Sequence, residues 1–243
     1  MSASRTIRLA AMVCTVLVAA GAAGCGSETT VRRSTTTFVT STAAATTLPA
    51  PRLTVTRSGW TAYADGWLSY GAYIDNASAL DATEGTLELN LLAKDGTLLD
   101  REVVTAGTIR AHSDGRRVGG LVEFPAQLYR RIARVEMLAI AEHGVKAKHP
   151  PLNFRLVHRI FEADGNYDVY TGRLENTGRT ALPAGSTMYM VYEDARGRIV
   201  GGDRGHTDAP LTAGRTAKLD WEGRVPPKTR TTLGTVDPAE RAG

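Results

Sequence analysis

The side chains that most often carry catalysis or bind metal ions are scattered along this 243-residue chain. The five histidines show neither the His-x-His nor the i, i+4 spacing that brings two metal ligands together. They are His112, His143, His149, His158 and His206. No Gly-x-Ser-x-Gly elbow, phosphate-binding loop or Ser-x-x-Lys motif occurs. We therefore predict no catalytic residue, no metal site and no cofactor, and we expect that the protein is not an enzyme.

Aromatic side chains are concentrated in one short segment. Five of the fifteen aromatic residues fall within fourteen positions. They are Trp60, Tyr63, Trp67, Tyr70 and Tyr73. Exposed rings can stack on a carbohydrate or a peptide, which makes these five the candidate ligand-binding residues. The alternative is that two of the rings face a core and the others cover a sheet edge or a joint between domains.

The N-terminal segment has the three parts of a secretory signal. Arg5 and Arg8 give a short positive region, residues 9–20 are almost entirely apolar, and residues 21–24 are small. The apolar stretch is shorter than the about 20 residues that a membrane-spanning helix needs. We therefore predict that residues 1–24 are a signal peptide that is removed on export.

The tetrapeptide Ala22-Ala23-Gly24-Cys25 resembles a bacterial lipobox. In that family the cysteine thiol receives diacylglycerol, and cleavage makes it the new N-terminus; the family prefers leucine where Ala22 stands here. The resemblance implies lipidation of Cys25 and anchoring on the extracytoplasmic side of the cell membrane. Acyl chains contribute about 0.8 kcal/mol per buried methylene, so two or three chains anchor a protein firmly. Cys14 leaves with the signal, so we expect no disulfide within the mature chain.

A segment rich in Thr, Ser and Ala follows the anchor, and with Cys25 it spans residues 25–51. It has too few large apolar side chains to offset the entropy of ordering, which predicts a flexible tether. A chain of this length reaches on the order of 25–30 Å. An O-glycosylated stalk is the alternative interpretation of the same composition. Both interpretations place the folded part of the chain beyond the lipid headgroups.

The charge of the chain indicates no particular partner. The formal net charge is +4, and it falls to +2 when Arg5 and Arg8 leave with the signal. The remaining charges of both signs are mixed along the chain. Nucleic acids are bound by clustered basic surfaces, and no such cluster is visible. We predict no nucleic-acid partner.

Short alternating strands dominate the rest of the chain. Apolar and polar residues alternate with period two in segments 86–91, 134–139 and 187–192, the pattern of half-buried strands. Turn residues separate these segments, which predicts an all-β fold of sandwiches. The stretch 126–141 also fits a helical face. We interpret it as a short helical turn or loop followed by a strand from Arg134.

The sequence repeats itself at a spacing of about 100 residues. The aligned segments are 71–76 with 172–176, 94–98 with 195–199, 109–113 with 211–215, and 134–135 with 235–236. Each copy is long enough for one sandwich core. We predict two tandem immunoglobulin-like β-sandwich domains, at residues 52–143 and 152–238, with a boundary at 144–151.

The second copy resembles the FxLYD-type immunoglobulin-like domains of bacterial envelope proteins. The resemblance rests on segment 172–178, on the strand 188–194 with Tyr192-Glu193-Asp194 at its hairpin, and on the turn 211–214. The phenylalanine of the family name has no obvious counterpart, and the first copy matches only loosely. The resemblance implies a non-catalytic envelope module, and it carries no catalytic residues.

Three classes of function fit these features. The first is a non-catalytic interaction or structural module that presents a sheet face or edge to a cell-wall polymer or an envelope protein. The second is a lipoprotein that binds a carbohydrate or a peptide through the aromatic segment or the cleft between the domains. The third is an enzyme whose site is assembled from dispersed residues. We favour the first class and keep the second as the alternative.

Overall fold

The computed structural model describes residues 50–145, 152–155, 161–164, 167–176 and 179–238, with side chains at 50–145, 174–176, 179–217 and 223–238. The predicted signal peptide, Cys25 and the tether up to residue 49 lie outside the described residues. The described strands belong to one compact unit, Thr46–Gly243. In this described part of the chain, no helix has the length and apolar character needed to cross a membrane.

The described residues form thirteen β-strands and one short 3-10 helix, Ala126–Leu128. The first six strands are β1 (Leu53–Ala62), β2 (Trp67–Asn76), β3 (Ala82–Leu92), β4 (Leu98–Ile109), β5 (Ser113–Glu123) and β6 (Arg134–Ile140). The other seven are β7 (Leu152–Arg155), β8 (Phe161–Asp164), β9 (Tyr167–Glu175), β10 (Thr187–Glu193), β11 (Ile199–His206), β12 (Thr216–Gly223) and β13 (Thr231–Asp237). The predicted helical turn followed by a strand from Arg134 is therefore confirmed.

The strands form four small sheets, all with antiparallel pairing. Sheet I has the order β4-β3-β6, sheet II β1-β2-β5, sheet III β11-β10-β13-β7 and sheet IV β12-β9-β8. Sheets I and II come only from the first six strands, and sheets III and IV only from the last seven. The predicted all-β fold of two β-sandwiches is confirmed.

Strand order within each sandwich is that of immunoglobulin-like domains. In the first sandwich the first, second and fifth strands share sheet II, and the third, fourth and sixth share sheet I. The second sandwich repeats this order with one difference. The counterpart of the single strand β1 is split into β7 and β8, so that β8 pairs with β9 in sheet IV while β7 pairs with β13 in sheet III.

Each sandwich closes around its own apolar core. In the first, alternate residues of β2 such as Leu68 and Ile74 face Leu87 and Leu89 of β3, and all four are fully buried. The period-two pattern of these strands puts every second side chain on the inner face. In the second sandwich, Met188, Met190 and Tyr192 of β10 pack against residues of the opposite sheet, Leu174 of β9 among them.

An asparagine at the end of the second strand makes the same hydrogen bonds in both sandwiches. Its side-chain amide donates to two backbone carbonyl oxygens and so holds the following loop. The pairs are Asn76 with Leu80 at 2.9 Å and Ile109 at 3.1 Å, and Asn176 with Thr180 at 2.8 Å and Leu211 at 2.9 Å. The internal repeat of the sequence is therefore also a repeat of the structure.

The predicted alignment of the last strands is wrong by a few residues. If the hairpins of the two copies are matched, Leu91 of β3 corresponds to Tyr192 of β10. Leu91 lies opposite Val135, and Tyr192 lies opposite Thr232. Val135 therefore corresponds to Thr232 and not to residue 236. The longer loop before β6 displaces the first copy relative to the second.

The four sheets stack in the order I, II, III, IV, because the outer face of sheet II packs against the outer face of sheet III. Sheet I is the counterpart of sheet III, and sheet II is the counterpart of sheet IV. The two sandwiches therefore pack head to tail and use different faces. The outer face of sheet I remains at the surface, where Val103, Leu138 and Ile140 are more than 40% exposed.

Candidate functional site

A groove of about 410 Å³ opens at one end of the contact between sheets II and III. The strand β1 contributes Trp60 and Thr61 to one wall. The opposite wall comes from the start of β11 and from the loop after β12. Its residues are Arg198, Ile199, Val200, Pro226, Pro227 and Lys228. Both sandwiches thus build the groove, which lies in the cleft between the two predicted domains.

Glycines allow the two sheets to approach until their backbones touch. A Cβ atom at Gly59 would overlap the carbonyl oxygen of Ile199, and one at Gly119 would overlap that of Met190. A Cβ at Gly202 would likewise overlap backbone atoms of sheet II. Sheets separated by ordinary side chains stack about 10 Å apart. The glycine contact therefore brings β1 directly against β11 and sets the width of the groove.

Hydroxyl groups connect the two backbones inside this contact. The fully buried Ser69 donates a hydrogen bond to the Gly202 carbonyl oxygen at 2.8 Å and accepts one from the Gly202 N–H at 2.9 Å. Close to the groove, the Thr61 hydroxyl donates to the Val200 carbonyl oxygen at 2.6 Å. These three bonds join β1 and β2 to β11, and they fix the relative position of the three strands.

Charged side chains seal the contact on one side. The Arg57 guanidinium donates to the Glu193 carboxylate at 3.0 Å and lies 4.7 Å from the centre of the Tyr73 ring. The Tyr73 hydroxyl donates to the same carboxylate at 3.1 Å. Burial raises the pKa of the Tyr73 hydroxyl above its usual value, so this donor keeps its proton at neutral pH.

A buried ion pair closes the other side. The Arg116 guanidinium lies 2.9 Å from the Asp237 carboxylate and 4.9 Å from the centre of the Tyr189 ring. The Thr108 N–H also donates to Asp237, at 2.9 Å. Burial raises the pKa of Asp237 although Arg116 opposes the shift, and burial lowers the pKa of Arg116. Inside the contact, the charged form of each group is therefore maintained by the opposite charge of the other.

The β1–β2 turn holds an arginine of the second sandwich. Arg224 is 7% exposed and lies 5.3 Å from the Tyr63 ring centre and 5.8 Å from that of Trp67. Its guanidinium pairs with Asp65 at 2.6 Å. The hydrogen bond from Arg224 holds the pKa of Asp65 below its usual range. Cation–π stacking and the ion pair thus fasten the loop after β12 to the first sandwich.

The five aromatic residues singled out in the sequence are not brought together as one exposed surface. Tyr70 lies in the core of the first sandwich and is 3% exposed. Tyr63 and Trp67 stack on Arg224, and Tyr73 stacks on Arg57. Trp60 is the member of the five that lines the groove, with its ring partly buried against the first core.

The groove has one cation that is already neutralised and one that is not. Arg198 pairs with Asp194 at 2.7 Å, and the hydrogen bonds that Asp194 accepts from the Arg198 backbone and side chain lower its pKa. Lys228 is exposed on the turn that the Thr229 N–H closes by donating to the Pro226 carbonyl oxygen at 2.9 Å. Within the described residues, no carboxylate pairs with Lys228.

A buried carboxyl group lies in the second sandwich next to this region. Asp203 of β11 is 5% exposed and lies opposite Met190, on the side of the second core. Burial raises its pKa to about 7, and the hydrogen bonds from the Arg204 N–H and the Tyr192 hydroxyl counteract this only in part. Asp203 therefore changes its protonation state near neutral pH.

A second, wider cavity of about 670 Å³ lies on the outer face of sheet I. It is acidic, with Glu84 and Glu142 beside His143 and three threonines. In the described part of the chain, no three histidine, cysteine or acidic side chains come close enough to hold a metal ion. The groove at Trp60 combines apolar walls with an unpaired cation, and it is the better binding site of the two.

Sequence reasoning proposed the interdomain cleft as a binding site but did not name its residues apart from Trp60. Lys228 and the two prolines before it stand in the loop after β12. The Pro226-Pro227-Lys228 run was the available signal, because adjacent prolines stiffen a loop and a flanking lysine adds charge. Its importance depends on the head-to-tail packing, which the sequence does not indicate.

Comparison with known proteins places the chain in no family. No protein-family model matches it, and no curated protein is similar to it. Among solved structures, the C-terminal globular domain of an oligosaccharyltransferase from Pyrococcus abyssi is 11% identical, with 76% of this chain and 47% of that one covered and a TM-score of 0.23. A red sea bream transglutaminase is 9% identical, with 72% and 27% covered and a TM-score of 0.23.

A Bacillus subtilis oxalate decarboxylase is 6% identical, with 78% of this chain and 76% of that one covered and a TM-score of 0.15. The chain spans less than half the length of the oligosaccharyltransferase domain and of the transglutaminase. At these TM-scores the similarities support no conclusion about function.

Proposed function

We propose that this protein is a non-catalytic interaction module of the bacterial cell envelope, held at the outer face of the cell membrane by lipid on Cys25. In this proposal an extended envelope ligand binds in the groove between the two sandwiches. The observation that carries the proposal is the groove itself, with the partly exposed Trp60 on one side and the unpaired Lys228 on the other.

The lining of the groove indicates the class of ligand. Trp60 lies between Gly59 and Thr61, which both face β11, so its own ring points towards the first core and supports the inner wall of the groove. Pro226 and Pro227 give a stiff apolar wall that loses little entropy on binding. Lys228 adds one exposed positive charge. Such a site suits a chain-like carbohydrate or peptide that carries negative charge.

The construction of the groove supports binding without rearrangement. Its two walls come from different sandwiches, and the glycine contact, Ser69 and the Arg57–Glu193 pair hold them together. A site whose walls are fixed before binding avoids the cost of ordering them. Residues on this scaffold therefore act as recognition residues for the ligand.

A charge reversal at the unpaired cation tests the groove. The probes are cell-wall fragments and anionic envelope polymers isolated from the producing bacterium. We expect Lys228→Glu to weaken binding of one of them about tenfold, which corresponds to about 1.4 kcal/mol. The matched control is Lys94→Glu, an exposed lysine on the β3–β4 turn that should leave binding unchanged.

Trp60 is tested separately because its ring also packs on the first core. Trp60→Phe preserves an apolar ring and should retain part of the affinity, whereas Trp60→Ala should lose most of it. Equal binding by the native chain, Lys228→Glu and Trp60→Ala to every probe would rule out the groove as the binding site.

The anchor is tested by intact mass and cell fractionation of the native chain beside a Cys25→Ser variant. The native chain is expected to begin at Cys25, carry acyl mass and sediment with membranes, and the variant to do none of these. Release of both forms with the same unlipidated mass would disprove the lipid anchor and leave the groove proposal standing.

A further inference from the structure

The groove wall at residues 226–228 belongs to the segment that connects β12 to β13. Pro226 lies against β11, because a Cβ atom at Gly201 would come within 2.9 Å of Pro226 Cγ. After the groove, the Arg230 N–H donates to the Glu193 carbonyl oxygen at 2.7 Å, which fixes the far end of the segment. The position of the wall therefore depends on the contacts that hold the segment before Pro226.

Arg224 holds the beginning of this segment through two separate contacts. Its guanidinium pairs with Asp65 of the first sandwich. Its backbone N–H lies at the carboxyl group of Asp203 on β11 and favours the charged form of that group. Because Arg224 stands only two residues before Pro226, these contacts fix where the wall of the groove begins.

The Asp203 carboxyl group also binds the edge of β11. This strand is an edge strand of sheet III, and side chains bind the backbone groups of its open side. The Ser69 hydroxyl binds both backbone groups of Gly202, and the Arg204 N–H donates to Asp203 Oδ1 at 2.7 Å. One carboxyl group therefore joins the edge of β11 to the segment that carries the groove wall.

The described surroundings of Asp203 offer hydrogen bonds but no ion pair. The Tyr192 hydroxyl of β10 donates to its carboxyl group, and Asp203 Oδ2 is shut off from solvent. Towards β2, burial raises the pKa of the Tyr70 hydroxyl, on which the charges of Arg204 and Asp203 also act. The Arg224 guanidinium is engaged by the first sandwich. The ionised form of Asp203 is therefore stabilised mainly by hydrogen bonds.

We propose that ionisation of Asp203 displaces residues 224–228 from β11, so that the groove binds its ligand more tightly at pH 5 than at pH 8. This regulation rests on the proposed function of the groove. A carboxyl group that is covered while the wall is in place becomes hydrated when the wall moves away, and its charged form gains most from the water. Raising the pH therefore favours the displaced wall.

The pH range of the effect follows from the two states of the carboxyl group. With the wall in place, burial raises the pKa of Asp203 to about 7, whereas a hydrated aspartate has a pKa of about 3.9. Displacement therefore becomes more favourable from about pH 4 upwards and levels off above about pH 7. Between pH 6 and pH 8 the equilibrium should shift about tenfold towards the displaced wall. Of the described residues that line the groove, none is a histidine, the side chain that ordinarily titrates in this range.

Hydrogen exchange of the Arg224 amide measures the displacement without a ligand. After correction for the intrinsic effect of pH, its protection in the native full chain should fall about tenfold between pH 6 and pH 8. Asp203→Asn keeps the shape of the side chain without the ionisable proton, so protection should be the same at both pH values. Glu102→Gln is the control and should respond as the native chain does. An equal loss of protection in the amides of β10 would mean that the whole sandwich loosens, and it would overturn the proposal.

Binding at the same two pH values tests the regulation of the groove. The probes are the cell-wall fragments and anionic envelope polymers of the producing bacterium. The native chain should bind one of them about threefold more weakly at pH 8 than at pH 6, the result expected when the wall remains in place in about a third of the molecules. Asp203→Asn should bind it equally at both pH values, and a pH response shared by this variant and the native chain would overturn the regulation. If no probe binds although the Arg224 amide responds, the proposed function of the groove is wrong and the displacement of the wall stands.

Discussion

Sheets I and III are counterparts in the two sandwiches, yet one outer face meets solvent and the other is buried. Their ladders match Gly202 and Tyr189 of sheet III with Arg101 and Glu88 of sheet I. Tyr189 packs with the core of the first sandwich, whereas Glu88 is buried beneath the exposed side chain of Arg101, with which it pairs. The docking face and the solvent face thus differ at two central positions of the same scaffold.

The comparison shows that sheet packing is decided by a few contact residues. Glycine removes the side chain that would hold two sheets apart, and an ion pair at the equivalent place excludes a neighbouring sheet. The groove exists only because sheet III has glycine at this place instead of an ion pair. Substitutions in the glycine contact should therefore have the largest effects on stability. Matched substitutions of a residue that occurs in both sandwiches should have equal effects.

The substitution with the largest expected effect is Gly119→Val, which disturbs the close contact between sheets II and III. Its Cβ would overlap the Met190 carbonyl oxygen, and a backbone atom cannot move aside as a flexible side chain can. We expect a loss of more than about 4 kcal/mol in the free energy of unfolding, measured by chemical denaturation. The control is Gly205→Ala on β11, where a Cβ meets only the flexible side-chain ends of Met188 at 3.5 Å and Met190 at 4.0 Å. A Gly119→Val protein of native stability would contradict the close contact.

The second effect is a pH dependence confined to the second sandwich. The pKa of Asp203 is raised from 3.8 to about 7, so folding favours its protonated form. Its stabilising contribution is complete below pH 4 and is lost as the pH rises through 7. Asp203→Asn should therefore raise stability at pH 8 by about 4 kcal/mol and flatten the profile between pH 4 and 8.

Glu102 is the matched position for this comparison. It lies opposite Leu89 in sheet I as Asp203 lies opposite Met190 in sheet III, and it is only half-buried. Glu102→Gln makes the same carboxyl-to-amide change at a position that is not fully buried, and it is the control for Asp203→Asn. Equal effects of the two substitutions would show that burial of Asp203 is not the cause.

Removal of the buried cation should have the next largest effect. Arg116→Met leaves the Asp237 carboxylate inside the contact between the sandwiches without its counter-ion. We expect a destabilisation of about 3 kcal/mol, measured by urea unfolding. Because the remaining carboxyl group can take up a proton, the loss should be smaller at pH 5 than at pH 8. A loss that does not depend on pH would argue against an unpaired charge.

The substitutions with the smallest expected effects test whether the two repeats are equivalent. Asn76→Ala and Asn176→Ala each remove two hydrogen bonds to backbone carbonyl oxygens. Each should cost about 2 kcal/mol in thermal unfolding, and the two costs should agree within about 0.5 kcal/mol. A large difference would show that one of the two loops is held mainly by other contacts.

Much of the fold follows from local signals in the sequence. Period-two alternation predicted the strands of sheets I and III, and Pro125 together with the apolar spacing after it predicted the helical turn and the strand from Arg134. These signals are local, because the side chains of a strand report which face is buried. The split of β7 and β8 was not predicted, since it depends on which sheet each half joins.

The groove was harder to predict because it depends on contacts between distant residues. The aromatic segment attracted attention as a binding surface, yet Tyr63, Trp67 and Tyr73 stack on arginines, and Tyr70 is buried in a core. Glycines such as Gly119 look like ordinary strand interruptions in the sequence. Their role becomes visible only when sheet III lies against them.

Hydrogen exchange of the backbone amides in β11 and β4 tests the head-to-tail packing most directly. Both are edge strands at equivalent places in sheets III and I, but only β11 has its outer face covered, by sheet II. We predict that amides of β11 exchange at least about tenfold more slowly than those of β4, and that Gly119→Val removes the difference. Equal exchange of the two strands in the native protein would contradict the packing and the groove built on it.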